Sequence, residues 1–264
     1  MSVRIAVQLH PQHADYSDIR SAAARAEELG VDVLYNWDHF YPLYGGEAYG
    51  ADATTGKHFE CWTMLGAWAE ATEKIRFGAL VTCNSYRNPQ LLADMARTVD
   101  VISGGRLILG IGSGWFEKDY DEYGYEFGTA VGRLKALDAA MPLIRSRLAA
   151  LDPQPAGDLP ILIGGGGEKV TLRIVAEHAD IWHGFGDAET FAHKNAVLDD
   201  WCAKVGRDPG DIERSIGVNP AHLDKAEGWL AAGADEITLG LNGPDYDMAV
   251  VEDWLAWRDD VNAR

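Results

Sequence analysis

The chain of 264 residues is 47% hydrophobic and 10% aromatic and carries a formal net charge of −18. This composition excludes disorder and leaves ample length for one large α/β domain. The acidic balance argues against nucleic acid, whose phosphates demand a basic footprint, and against anionic membranes.

Strand-like and helix-like segments alternate along the chain. Residues 3–9 read as a strand, interrupted by Arg4, and residues 16–29 as a helix that opens after Asp15 and stops at Gly30. The apolar start is too short for a membrane span of ~18 residues and lacks the regions of a signal peptide, so a cytoplasmic protein is expected. Residues 31–35 form the second strand, 59–72 the second helix, 75–82 the third strand, and 89–102 a helix with Pro89 in its first turn. The fourth strand, 106–111, precedes a helix from about 133 to 150; the fifth, 160–163, precedes a helix over 168–178. Strand 181–185 and helix 188–205 follow, then the pairs 212–218 with 223–232 and 236–241 with 246–261. Eight strand–helix pairs in this length predict a (β/α)8 TIM barrel, a single domain over residues 1–264. Cys61, Cys83 and Cys202 are widely spaced and form no Cys-x-x-Cys, so neither disulfides nor a metal site is expected.

In such a barrel the chemistry lies where strands run out into loops. The second strand ends Asn36-Trp37-Asp38-His39-Phe40. His39 is placed to move a proton at the mouth, with Asp38 orienting it or meeting a ligand hydroxyl; the alternative is a histidine that only bonds a loop carbonyl. After the third strand, Thr82, Cys83 and Asn84 offer small donors and acceptors and Arg87 a cation, unless this stretch simply caps the next helix. The fourth strand ends in Gly112-Ser113-Gly114, where backbone without Cβ atoms lets a ligand approach closely. Gly164, Gly165, Gly166 and Gly167 then lead directly toward a helix, exposing consecutive N–H groups that suit a phosphate. His10 and His13 read as surface histidines, and Trp62, Trp68, Trp201, Trp229, Trp254 and Trp257 as core or interface. The long 41–58 connection reads as a lid or substrate wall.

Trp37-Asp38-His39-Phe40, residues 80–89, Ser103-Gly104-Gly105-Arg106 through Glu117, and the four glycines resemble the luciferase-like oxidoreductases, in particular the branch that uses coenzyme F420. The resemblance spans almost the whole chain. It implies a non-proline cis peptide at Leu80–Val81 against the back of a tricyclic ring, with Asp38, Cys83 and Lys118 contacting the deazaflavin. It also implies that the phosphate sits on Gly166 and Gly167 near Lys169 and Val170, that Ser113 and Gly114 touch the cofactor side chain, and that His39 is the proton donor. Sugar-phosphate dehydrogenases of this family carry tryptophan where Leu43 stands and glutamate where Trp115 stands, which argues against such a substrate. The expected activity is hydride transfer between coenzyme F420 and a small organic substrate, in a homodimer. The alternatives are an FMN-dependent monooxygenase fed by a separate flavin reductase, and a non-catalytic binding protein.

Overall fold

The computed structural model describes residues 2–43 and 55–264. Strand β1 (Arg4–Leu9) is followed by α1 (Tyr16–Leu29), β2 (Val33–Asn36), α2 (Cys61–Ala71), β3 (Arg76–Ala79), β4 (Thr82–Cys83) and α3 (Pro89–Ser103). Next come β5 (Leu107–Gly112), α4 (Glu117–Tyr123), α5 (Ala130–Ala150), β6 (Ile161–Gly164), α6 (Thr171–His178), β7 (Ile181–Phe185) and α7 (Ala188–Val205). The last elements are β8 (Glu213–Val218), α8 (Ala226–Ala231), β9 (Glu236–Leu241) and α9 (Met248–Asn262). Every strand pair is parallel, in the order β3-β2-β1-β9-β8-β7-β6-β5-β4, and β3 also pairs with β5 to close the ring. β3 and β4 are two halves of one barrel strand, parted at a cis Leu80–Val81 peptide, so the fold is the eight-stranded (β/α)8 barrel that the alternation predicts. No helix among the described residues is long and apolar enough to cross a membrane.

Both faces of each strand are buried, as a parallel ring under a helical jacket requires. Outward-facing strand residues pack with Ala22, Trp68, Ala96, Ile144, Phe191 and Trp254 in one large core. Inside the ring, Ala6, Val33, Tyr35, Leu80, Ile108, Leu162 and Ile181 form a smaller apolar cluster. The β8–β9–β1 side of the interior is polar instead. There Arg4 pairs with Glu213 and Glu236 at 2.5 and 3.3 Å, and Ser215 and Tyr35 donate to Glu236.

The sequence signals that end helices are realised in the backbone. Gly30 and Gly104 take left-handed φ of 80° and 69°, which only glycine adopts at no cost. The Arg106 that follows Gly104-Gly105 has a structural role. Its guanidinium donates to the carbonyls of Ala69, Thr72, Ser103 and Ile75 and to Thr72 Oγ1, tying the ends of α2 and α3 to the start of β3.

Three local readings change. Helix α5 begins at Ala130 rather than near 133, because Thr129 caps the N–H of Gly132. Helix α4 was not anticipated. Helix α6 begins at Thr171, so a turn over 168–170 separates it from the four glycines. Of the six tryptophans assigned to core or interface, Trp62, Trp68, Trp229 and Trp254 are fully buried and Trp201 and Trp257 pack half-buried against them. Residues 44–54 of the anticipated lid lie outside the described residues. Its flanks are held by the loop after β1: Leu43 N donates to Gln12 Oε1 (2.8 Å), His13 N to Lys57 O (2.9 Å) and Phe59 N to Pro11 O (3.0 Å).

Candidate active site

A cavity of about 590 Å³ opens at the C-terminal end of the barrel, within the range of small-molecule sites. Leu80 and Val81 are part of its lining. The Val81 side chain lies across β5 and β6 where both lack a side chain: a Cβ at Gly112 would come within 2.7 Å of Val81 Cγ2, and one at Gly164 within 3.1 Å of Val81 Cγ1. Glycine at these two positions makes room for the bulge.

His39 lines the same cavity, 13% exposed, with its ring edge-on to Trp37, Trp115 and Phe116. Its Nδ1 lies 2.6 Å from Asp119 Oδ2. Asp119 is fully buried on α4, where it also accepts from Phe40 N (3.0 Å) and Tyr86 Oη (2.9 Å). The carboxylate accepts from the Phe40 N–H and the Tyr86 hydroxyl and, with Nδ1 carrying the ring proton, from His39 as well. Its hold on Nδ1 leaves Nε2 as the nitrogen available to a ligand.

Asp38 does not orient His39, contrary to one expectation. It is buried in the cavity lining, where Arg87 grips it with a fork of bonds at 2.5 and 3.1 Å and Cys83 N donates at 3.0 Å. Burial pushes the Asp38 carboxyl up and the Arg87 charge opposes this; Arg87, itself also bonded to Glu60 at 2.6 Å, is held firmly charged. The neighbouring Asn88, not Asn84, caps α3. The Cys83 thiol is pushed up by burial and lies 3.2 Å from Tyr120 Oη. Gly114, at φ +81°, passes so close to Tyr120 and Cys83 that a Cβ would meet Cys83 Sγ at 2.6 Å.

Of the residues singled out by sequence, the cavity lining gathers Asp38, His39, Leu80, Val81, Cys83, Ser113, Gly114, Gly164 and Gly165. Asn84, Lys118, Gly166, Gly167, Lys169 and Val170 lie outside that lining. Asn84 is buried with no partner for Oδ1, and Lys118 sits 4.9 Å over the Tyr41 ring. Gly166 through Val170 form an exposed shoulder beside the mouth, where the backbone N–H groups of Gly166, Gly167, Glu168 and Lys169 donate to no acceptor among the described residues. The shoulder is pinned from behind by Trp182 Nε1 to Gly165 O and Trp201 Nε1 to Glu168 O. His10 is not a surface histidine: it is buried, stacked on Trp37 at 4.1 Å, and burial lowers its pKa to about 4.

The luciferase-like monooxygenase family model matches residues 1–237. The chain belongs to this family. An uncharacterised protein of Mycobacterium tuberculosis is 27% identical over 254 residues, covering 87% of this chain and 89% of the relative. An F420-dependent glucose-6-phosphate dehydrogenase of Microbacterium testaceum is 28% identical over 240 residues, covering 80% of this chain and 68% of that protein. Among solved structures, an F420-dependent secondary alcohol dehydrogenase in complex with an F420-acetone adduct superimposes with a TM-score of 0.81 at 18% identity, covering 95% and 96% of the two chains.

Against this luciferase-like frame, sequence reading missed Asp119, Lys194 and His183. Asp119 hides in an acidic run, Glu117-Lys-Asp-Tyr-Asp-Glu-Tyr, whose signal was the Gly124 stop that makes it a helix. Lys194 on α7 reaches the glycine shoulder and pairs with Glu168 at 2.6 Å. His183 is the one polar side chain among the inward positions of β7, beyond Ile181.

Proposed function

We propose that the protein is an F420-dependent oxidoreductase that moves a hydride between the deazaflavin and a small neutral organic substrate. The residues fit such a cofactor: an apolar surface at Leu80 and Val81, kept clear by Gly112 and Gly164, lines the same cavity as an imidazole held by Asp119, and a shoulder of unused N–H groups lies beside the mouth. That combination of apolar surface and held imidazole carries the reading. Leu80, Val81, Cys83, Ser113 and Gly114 would hold the ring and side chain, with Asp38 acting through Cys83. Gly166, Gly167 and the N–H groups of Lys169 and Val170 would hold the phosphate, where oriented backbone donors suit an anion.

When bound, a deazaflavin supplies a carbon that gives or accepts a hydride. His39 Nε2 holds or moves the accompanying proton, and Asp119 fixes the ring through Nδ1 so that the same nitrogen always faces the cavity. Trp37, Trp115 and Phe116 crowd the imidazole and limit water around it. A substrate without an anionic group suits this lining, in which no Lys or Arg stands among the described residues. A sugar phosphate would there meet no cation, in keeping with Leu43 and Trp115 at their positions.

Trp37 and Trp115 line the cavity, so tryptophan fluorescence reports its occupant. Titration with F420 beside FMN, at fixed salt, is expected to favour F420 by at least about tenfold, a gap of ~1.4 kcal/mol. A preference for FMN would replace the reading with a reductase-fed monooxygenase; binding of neither would remove the redox reading altogether.

A further inference from the structure

His183 is fully buried on β7, lines the cavity, and has no partner for Nε2. The rest of its environment is a built network. Nδ1 lies 2.8 Å from Ser215 Oγ, and that hydroxyl lies 2.8 Å from Glu236 Oε1. Glu236 also receives Tyr35 Oη at 3.3 Å and the Arg4 guanidinium at 3.3 Å. Three donors around one carboxylate use the single Ser215 proton for Glu236. Ser215 Oγ therefore accepts from His183, which fixes the Nδ1–H tautomer. Burial lowers the His183 pKa to about 3, so the ring is neutral. Nε2 then carries a lone pair and no proton.

A buried acceptor with no donor is costly unless a ligand completes it. Space around Nε2 is kept by Gly217, whose Cβ would stand 3.1 Å from it, and its cover is Phe185, edge-on at 4.9 Å between ring centroids and largely exposed at the mouth. We propose that His183 is a substrate-recognition residue: its Nε2 accepts a hydrogen bond from a hydroxyl of the neutral substrate, admitted when the Phe185 ring turns aside. Given the proposed function, of which this is an elaboration, the substrate class is a neutral molecule bearing a hydroxyl on the β7–β8 side of the cavity, away from His39 in the connection after β2.

The test uses the full chain with ¹⁵N-labelled histidine, titrated with cyclohexanol and with cyclohexanone, first without cofactor and then with saturating F420. The expected result is a His183 Nε2 resonance that is unprotonated in the free protein and moves only with the alcohol, which binds at least about fivefold tighter than the ketone. His183→Phe is expected to erase that preference. Ser215→Ala, which frees the tautomer while keeping the imidazole, is expected to shift it toward the ketone. Equal binding of the two probes in the wild type, no response of His183 to either, or a preference that survives in His183→Phe would each overturn the proposal. Should His183→Phe not fold, the wild-type spectra and Ser215→Ala still decide. The cofactor-free arm is independent of F420, so failure here and failure of the cofactor reading are told apart.

Discussion

Replacing Arg87 by Met tests the charge arrangement around Asp38. Arg87 is 11% exposed and Asp38 0%, and their two bonds at 2.5 and 3.1 Å are the main compensation for a carboxylate held out of water. Breaking one side of a buried pair costs roughly 3–5 kcal/mol, because the remaining charge is left unpaired. The bond to Glu60 adds little, since that carboxylate is 40% exposed and keeps the N–H groups of Trp62 and Thr63. At about 2–4 °C per kcal/mol for a chain of this size, the melting temperature should fall by roughly 10 °C near neutral pH. The loss should depend on pH in a definite direction. Burial already pushes Asp38 up, and removing Arg87 removes the main opposing influence. A folded-state pKa above the unfolded value gives stability that is present below the unfolded pKa and lost as pH rises through the folded one. The variant should therefore approach wild type as pH falls into the ordinary carboxylate range and fall behind by up to ~1.4 kcal/mol per pH unit above it. Guanidinium unfolding across that range reads this directly, and Asp38→Asn added to Arg87→Met should recover most of the loss. A deficit that is independent of pH, or that the second substitution fails to relieve, would refute the account of Asp38 as an ionised residue sustained by Arg87.

Asp119→Asn should lower turnover by about one to two orders of magnitude while leaving F420 affinity within about twofold, as expected when a charge-assisted bond of ~1.5–3 kcal/mol that orients His39 is lost; unchanged turnover would separate Asp119 from the chemistry. Gly112→Ala should weaken F420 binding by about tenfold or more, because the new Cβ forces Val81 into the cavity, and a fluorescence titration that matches wild type would show that the wall yields. Arg106→Ala should cost roughly 2–4 kcal/mol by calorimetry, less than the sum of its five bonds because water reaches part of the site, and Arg106→Lys about half of that. An Arg106→Ala protein as stable as wild type would mean that the clamp holds nothing.

The barrel was legible because its signals are local. Gly30, Pro89 and Gly104 mark helix ends through backbone preference alone, and the run Leu107–Ile111 is apolar enough to be a strand buried on both faces. His39 was found because a strand end in a barrel faces the site, and the cis peptide at Leu80–Val81 because the family resemblance implies it. The partners were harder. Asp38 adjoins His39 in sequence, and adjacency favoured it; the fold hands Asp38 to Arg87 and brings Asp119 from 80 residues away. The tautomer of His183 depends on Ser215 and Glu236, on two further strands, and no spacing along the chain encodes a relation that exists only when the ring closes.

The attachments of His39 have a consequence for how such a protein diversifies. Its imidazole is steadied by Asp119, Trp115 and Phe116, all contributed by the connection after β5, and the stretch that follows it in sequence is clipped at both ends to residues 11–13. The clasps and the support of the imidazole thus rest on separate connections, those after β1 and after β5, so residues 11–13 can vary without touching the bond that Asp119 makes to His39.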